Sequence, residues 1–198
     1  MVRGIRIIRY ATFDCNLVGS GFLKVYHGDK TVRRLESIQK YHLVNRPDRE
    51  INDQSEIAGI LRNGKFCAIS MCRDNEPYIV TLSYGYDFDN DALYFHCSDK
   101  GLKLDFIKMN PKVCATVLED GGYVMDECGH HYRTVVFWGT IRIVEDIEEK
   151  SHGMQVLLNH LEKKPEIKQE KLVASEGFYA KMKVLRLDIT EIHGKAGR

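Results

Sequence analysis

Hydrophobic and polar positions fall into regular order near residue 45 and stay ordered almost to the end of the chain. Asp53 followed by Glu56 has the form of a capping box, and Ile57, Ile60 and Leu61 recur behind it on one helical face. Gly64 then reads as the C′ glycine that stops this short helix. From there the period shortens. Residues 66–73 are an apolar run, Asp74-Asn75-Glu76-Pro77 is turn chemistry, and residues 78–86 alternate. Along them Tyr78, Val80, Leu82, Tyr84 and Tyr86 point one way, and Ile79, Thr81, Ser83 and Gly85 the other. A turn at 87–91 leads into a strand at 92–97, so a hairpin extends into a meander.

A helix is expected over 100–109, with Leu102, Phe106 and Met109 on its stripe and Asn110-Pro111 ending it. A strand at 112–119 and a glycine turn at Gly121-Gly122 follow. The longest alternation, 131–144, places His131, Arg133, Val135, Phe137, Gly139, Ile141 and Ile143 on one face, with Gly139 a bulge or bend. A helix over 146–161 aligns Ile147, Met154, Leu158 and Leu161. A charged loop around 163–171 precedes a last strand at 182–192. Residues 1–44 carry no sustained period beyond one strand candidate at 21–26. Six or so hairpin-linked strands with helices between them do not make a βαβ series. The expected fold class is mainly β with flanking α, a closed or nearly closed antiparallel barrel.

Composition adds little except in its distribution. The 198 residues carry 29 Lys+Arg against 28 Asp+Glu. Residues 1–49 hold ten basic and four acidic residues, a net +6, which leaves −5 for the remainder. A basic arm of this kind can touch nucleic acid or a membrane. Its charges are scattered, however, with no basic run, so it reads as a solvated or partner-docked extension and nucleic acid is not the expected partner. Arg3, Arg6 and Arg9 break up the apolar residues at the start, so no secretory signal is read there, and no stretch is apolar enough to span a membrane. The six cysteines form no C-x-x-C pair, and four of them sit in strand-like runs as small hydrophobes. The chain reads as cytoplasmic and reduced. Three motifs fail: Gly59 to Lys65 has the letters of a phosphate loop, but Phe66 stands where Ser or Thr is needed; no dinucleotide fingerprint follows a strand; and His130-His131 point to opposite faces and cannot readily chelate one ion, so no metal is expected.

One segment converges on a chemistry. In Tyr94-Phe95-His96-Cys97-Ser98-Asp99-Lys100-Gly101-Leu102-Lys103, the residues Tyr94, His96 and Ser98 emerge on the face opposite Leu93, Phe95 and Cys97. The strand then runs into a helix N-terminus, whose free N–H groups and dipole favour an anion. Lys100 and Lys103 are misplaced there for helix stability alone, and Gly101 permits close backbone approach. These groups suit a phosphomonoester; the bland alternative is a lysine pair on a solvated helix.

From about 45 to 195 the chain resembles the pyridoxamine 5′-phosphate oxidase-related, FMN-binding split-barrel superfamily, and within it the nitroimidazole-resistance (Nim-type) branch. The resemblance is carried by Asp48-Arg49-Glu50-Ile51, Glu76-Pro77-Tyr78-Ile79-Val80, Ser83-Tyr84-Gly85-Tyr86, Leu93 to Ser98, Gly101-Leu102-Lys103, Asn110-Pro111-Lys112-Val113-Cys114, Tyr132-Arg133-Thr134-Val135-Val136 before Gly139, and Arg186 to Ile192 before Gly194-Lys195. It implies a six-stranded antiparallel split β-barrel over residues 45–198, preceded by a basic extension at 1–44. It also implies a homodimer with FMN in grooves between the protomers and a small-molecule substrate. Carried onto this chain, Thr81, Leu82, Ser83 and Tyr84 would run along the isoalloxazine; Ser98, Lys100 and Lys103 would hold the phosphate; Arg133 and Thr134 would contribute from the long strand. His96 matches the histidine near flavin or substrate and is the candidate catalytic acid. Leu82 and Tyr84 point away from Thr81 and Ser83 and could offer only backbone groups. The implied function is a flavin-dependent oxidoreductase reducing a small acceptor such as a nitroaromatic. The alternatives are a flavin or haem carrier without turnover and a pyridoxamine-phosphate-oxidase-like activity, whose carboxy-terminal substrate pattern this chain lacks.

Overall fold

A computed structural model of the chain describes residues 46–165 and 182–197. The readings of residues 1–44, including the strand candidate at 21–26, and of most of the loop around 163–171 lie outside the described residues. After a 3-10 turn at Pro47–Arg49, the elements are β1 (Glu50–Ile51), α1 (Gln54–Asn63), β2 (Phe66–Arg73), β3 (Glu76–Ser83), β4 (Gly85–Asp87), β5 (Ala92–Ser98), α2 (Leu102–Met109), β6 (Lys112–Val124), β7 (Gly129–Val144), α3 (Ile147–Leu161) and β8 (Met182–Gly197). Since β1 and β4 are only two and three residues long, six long strands remain, as expected.

Local chemistry accounts for most element ends. The Asp53 carboxylate accepts the Ser55 N–H at 2.8 Å and starts α1. Asp74 and Asn75 take the positive φ that a two-residue hairpin turn demands. Asp146 accepts the Glu149 N–H and starts α3. Gly64 departs from expectation: it ends α1 in an extended, not left-handed, conformation. Glycine is needed there for room, because a Cβ would strike the Val117 side chain and lie 2.6 Å from the Tyr84 hydroxyl.

All strand pairs are antiparallel and follow the order β3-β2-β6-β7-β8-β5-β4, with β1 on β8. β3 and β4 lie at opposite ends of this order, yet a single residue, Tyr84, separates them. The sheet therefore curls until its two ends meet at Tyr84, and it does not close by a continuous ladder. This is a split barrel, with β7 in the wall opposite the split.

Inside the curl, alternate residues from every long strand, among them Ile69, Ala115, Phe137, Leu187 and Phe95, join α1 and α2 side chains in one core. α2 buries Leu104, Phe106 and Ile107; Leu102 and Met109, expected on its stripe, are the first and last residues of an eight-residue helix and stay 51% and 64% exposed. α3 covers the outer face of β5 and β8, so Tyr94 is fully buried against Met154 and Leu157. Its buried stripe is Met154, Leu157 and Leu158, while Ile147 in its first turn is exposed. At Gly139 the β7–β8 register slips by one residue, leaving Thr190 as the bulge. A Cβ at Gly139 would collide with the Asp188 carbonyl.

Candidate functional site

The split itself is the candidate site. β4 pairs with β5 through Gly85↔Tyr94, while β3 pairs only with β2. Beyond Tyr84, then, β3 and β5 face each other without sharing hydrogen bonds. Counted back from the Gly85↔Tyr94 pair, Ser83 and Thr81 on β3 correspond in number to His96 and Ser98 on β5, although no ladder joins the two strands. The strand pleat puts these four small or polar side chains on the outer face, and Val80, Leu82, Phe95 and Cys97 toward the core. Thr81, His96 and Ser98 are exposed and Ser83 is half-buried. Rings close the barrel where backbones do not: Tyr84 lies 6.4 Å from Phe95, centroid to centroid.

The other end of the cleft is crossed by α2. Its Phe106 ring lies 5.0 Å from Tyr78 of β3, so the helix that leaves β5 packs back on the opposite lip. Gly101 caps this helix at φ 142, where any side chain would be strained, and no side chain caps its N–H groups. Lys103 Nζ would lie 3.7 Å from a Cβ on Gly101, which places its ammonium over the helix start. Burial pushes the Cys97 thiol up, and the nearby Lys103 charge opposes that rise. Lys100 is exposed beside it. Asp99 adds one opposing carboxylate, 3.4 Å from the Ser98 hydroxyl.

The expected site residues divide into those at the cleft and those elsewhere. Thr81 and Ser83 lie on the outer face of β3, His96 and Ser98 on that of β5, and Lys100 and Lys103 at the start of α2. Leu82 turns inward to the core. Tyr84 is fully buried and donates to the Leu61 carbonyl at 2.7 Å, so its side chain lies outside the cleft. Tyr94 shares the face of His96 but is covered by α3. Arg133 and Thr134 sit on β7, across the barrel from the split. Arg133 pairs with Glu119 at 2.6 Å and Glu56 at 3.6 Å. The Thr134 hydroxyl donates to the Val117 carbonyl at 2.9 Å and lies 3.0 Å from that of Thr116. Neither residue joins the cleft of its own chain.

Sequence reading missed a concavity of about 460 Å³ on the outer face of β2, β6, β7 and β8. Trp138 walls it beside Cys72, Cys114, Thr140 and Glu191. Glu191 accepts from His193 at 2.7 Å, and the His193 ring meets Trp138 edge-on. The signal was available: Glu191 and His193 are two apart on one strand face. Among the described residues no His, Cys, Asp and Glu side chains are grouped so as to hold a metal ion.

Comparison with known proteins places this geometry. A protein of Bacteroides thetaiotaomicron named for 5-nitroimidazole antibiotic resistance superimposes with a TM-score of 0.64 at 25% identity, over 74% of this chain and 86% of that one. The flavocytochrome of Azotobacter vinelandii matches in fold, with a TM-score of 0.69 at 16% identity over 81% of this chain and 75% of its own. An uncharacterized protein of Rhizobium meliloti is 27% identical over 115 residues, 58% of this chain and 70% of the relative. The model of the family described as pyridoxamine 5′-phosphate oxidase matches residues 53–196, nearly all of the described barrel, and the chain belongs to that family.

Proposed function

We propose that the protein is a flavin-dependent oxidoreductase that binds flavin mononucleotide in the cleft between β3 and β5 and reduces a small acceptor such as a nitroaromatic. One observation carries this reading: two polar strand edges, left unpaired by the split, lead to an uncapped helix start carrying two lysines. From Tyr78 to Ser83 the β3 lip is about 17 Å long at ~3.3 Å per residue, which suits a flat ring system followed by a phosphorylated chain. The donors suit the group: cations, a hydroxyl and bare N–H groups at the anionic end, small polar side chains along the ring. The Bacteroides protein named for nitroimidazole resistance supports the choice of acceptor.

Bound there, the flavin would supply the electron transfer, for which side chains have no equivalent. The chain's part is to hold and orient it. Lys103, Lys100, Ser98 and the first N–H groups of α2 grip the phosphate. Thr81 and Ser83, with the Leu82 backbone, keep the ring along β3. His96, whose imidazole can both give and take a proton, stands across the cleft to protonate the reduced acceptor.

A homodimer belongs to the same proposal. Phe66, Ile79 and Leu118 are each more than 60% exposed on the outer face of β2, β3 and β6, continuous with the Thr81 lip. Apolar surface of this extent on a strand face suits a second copy. Thr134, on the wall opposite the split, could reach a flavin only from the second copy's side.

Absorbance of the purified protein, FMN titration and mass in solution test the reading together. Lys103→Glu should weaken FMN binding roughly a hundredfold or more, since it removes a charge-assisted contact and adds a repulsive one. A variant that stays fully yellow would remove the phosphate assignment. A colourless wild type that refuses FMN and sediments as a single subunit would remove the whole proposal. Anaerobic reduction by a reduced nicotinamide, followed by reoxidation with a nitroimidazole, separates an enzyme from a carrier.

A further inference from the structure

The corner at Tyr84 decides how far β3 stands from β5, and it is held from outside the sheet by His160 near the end of α3. The His160 ring lies 4.9 Å from the Tyr84 ring. Its two nitrogens have partners of opposite kind. Nε2 lies 2.6 Å from the Gly64 carbonyl, which can only accept, and Nδ1 lies 3.4 Å from the Tyr86 backbone N–H, which can only donate. The imidazole must therefore carry its proton on Nε2 and leave Nδ1 bare. One ring thus ties three pieces together: the end of α1, the middle of β4 and the end of α3. Gly85 is pressed so closely against Leu157 of α3 that a Cβ there would lie 2.6 Å from the Leu157 nitrogen, so the corner has no slack to move while α3 stays seated.

We propose that His160 is a positioning residue for the flavin cleft, holding the β3–β4 corner, and through it Thr81 to Ser83, only while its imidazole is neutral. The proposal rests on the cleft being the flavin site. A proton on Nδ1 would set one N–H against the Tyr86 N–H, and the ring could keep the corner only by giving up that bond. Charged and titratable groups facing the ring reinforce the requirement. The Lys65 ammonium donates to the His160 carbonyl at 2.7 Å from the α1–β2 junction, repelling a second positive charge. Tyr84 faces the ring as a neutral phenol, kept so chiefly by burial and further by the Cys67 thiol and the Glu119 carboxylate. Burial also disfavours the charged ring, and His160 sits below the ordinary histidine range, chiefly for that reason. In acid the corner should loosen and the cleft should lose its flavin.

The test uses the full chain. In the flavin-free protein, ¹⁵N shifts of the His160 ring should report the Nε2–H form at pH 7.5. Exchange of the Tyr86 amide, relative to Val135, should speed up between pH 7.5 and 5.5. The wild type should lose several-fold more FMN affinity over that interval than His160→Gln, which keeps a donor for Gly64 but cannot titrate; the ratio cancels the cofactor's own phosphate titration. Lys65→Met, at an exposed side chain, gives a second route: it should move the ring's titration midpoint upward. An Nδ1–H ring, a Tyr86 amide indifferent to acid, or identical pH dependence in wild type and His160→Gln would overturn the clamp. If FMN fails to bind at any pH while Tyr86 still opens in acid, the clamp stands and the cofactor assignment falls.

Discussion

Tyr84 is the single residue between two strands at opposite ends of one sheet, and its hydroxyl shows how tightly that turn is made. It donates to the Leu61 carbonyl within the core. Tyr84→Phe should cost about 1–3 kcal/mol in denaturant unfolding, because a buried carbonyl loses its donor while the ring packing stays. A cost under about 0.5 kcal/mol would mean that the bond does not hold the corner. Glycines give a paired comparison. Gly59, in the middle of α1, has nothing within 4 Å of a new Cβ, so Gly59→Ala should stabilise by about 0.5–1 kcal/mol through helix propensity. Gly139 faces the Asp188 carbonyl and the Leu187 side chain across a bulge, so Gly139→Ala should destabilise by about 1–3 kcal/mol. The same thermal melts read both, and equal signs would contradict the packing described for β7 and β8.

At the scale of elements, α3 is the piece that seats the split. Met154 and Leu157 bury Tyr94, and polar ties flank them. The Asp87 carboxylate accepts from His152 at 2.7 Å, from the Asn90 side chain at 2.8 Å and from the Asp89 and Asn90 backbone at 3.1 Å. Glu149 is held by Arg142 at 2.5 Å and Arg186 at 3.0 Å. Burial raises Asp87, but the hydrogen bonds from Asn90 and His152 outweigh it, and the carboxyl ends below the ordinary range. A carboxyl depressed in the folded state binds its proton more readily when unfolded, so its stabilisation is present above the unfolded pKa, about 3.9, and is lost as the pH falls through the folded value. Wild type should therefore lose stability more steeply than Asp87→Asn on acidification below about pH 4. Parallel stability–pH curves for the two proteins would show that Asp87 does not anchor this turn.

For the whole molecule, the cleft and the uncovered outer sheet face lead to measurements on assembly and ligation. The protein should sediment as a dimer. FMN at a hundredfold excess over its dissociation constant should add about 2.7 kcal/mol, which raises the melting temperature by about 5–10 °C for a chain of this size. Riboflavin, lacking the phosphate, should give a smaller rise at the same concentration. An equal rise from both ligands would take the phosphate away from Lys103 and the α2 start.

The chain by itself determined most of the elements and most of their faces, but not the turn expected at Gly121-Gly122, where β6 runs on through a register shift to Val124 and the chain turns at 125–128. Period-two alternation and helical spacing are local properties, so the six long strands, the Asp53 and Asp146 helix starts, the bulge at Gly139 and the outward aim of Thr81, Ser83, His96 and Ser98 were legible. The strand-to-helix passage proposed to hold the phosphate could be named from the chain alone, because a strand, a glycine and two lysines follow one another directly. Only the tertiary structure decided that β3 and β5 stay unpaired beyond Tyr84, that α3 covers Tyr94, and that Arg133 is engaged by Glu56 and Glu119 on the far wall. It alone brought His160 to Gly64 and Tyr86, 96 and 74 residues away. The reason is physical: alternation tells which side of a strand is buried, but which strand pairs with which, and which helix covers which face, are settled by packing among residues far apart in the chain.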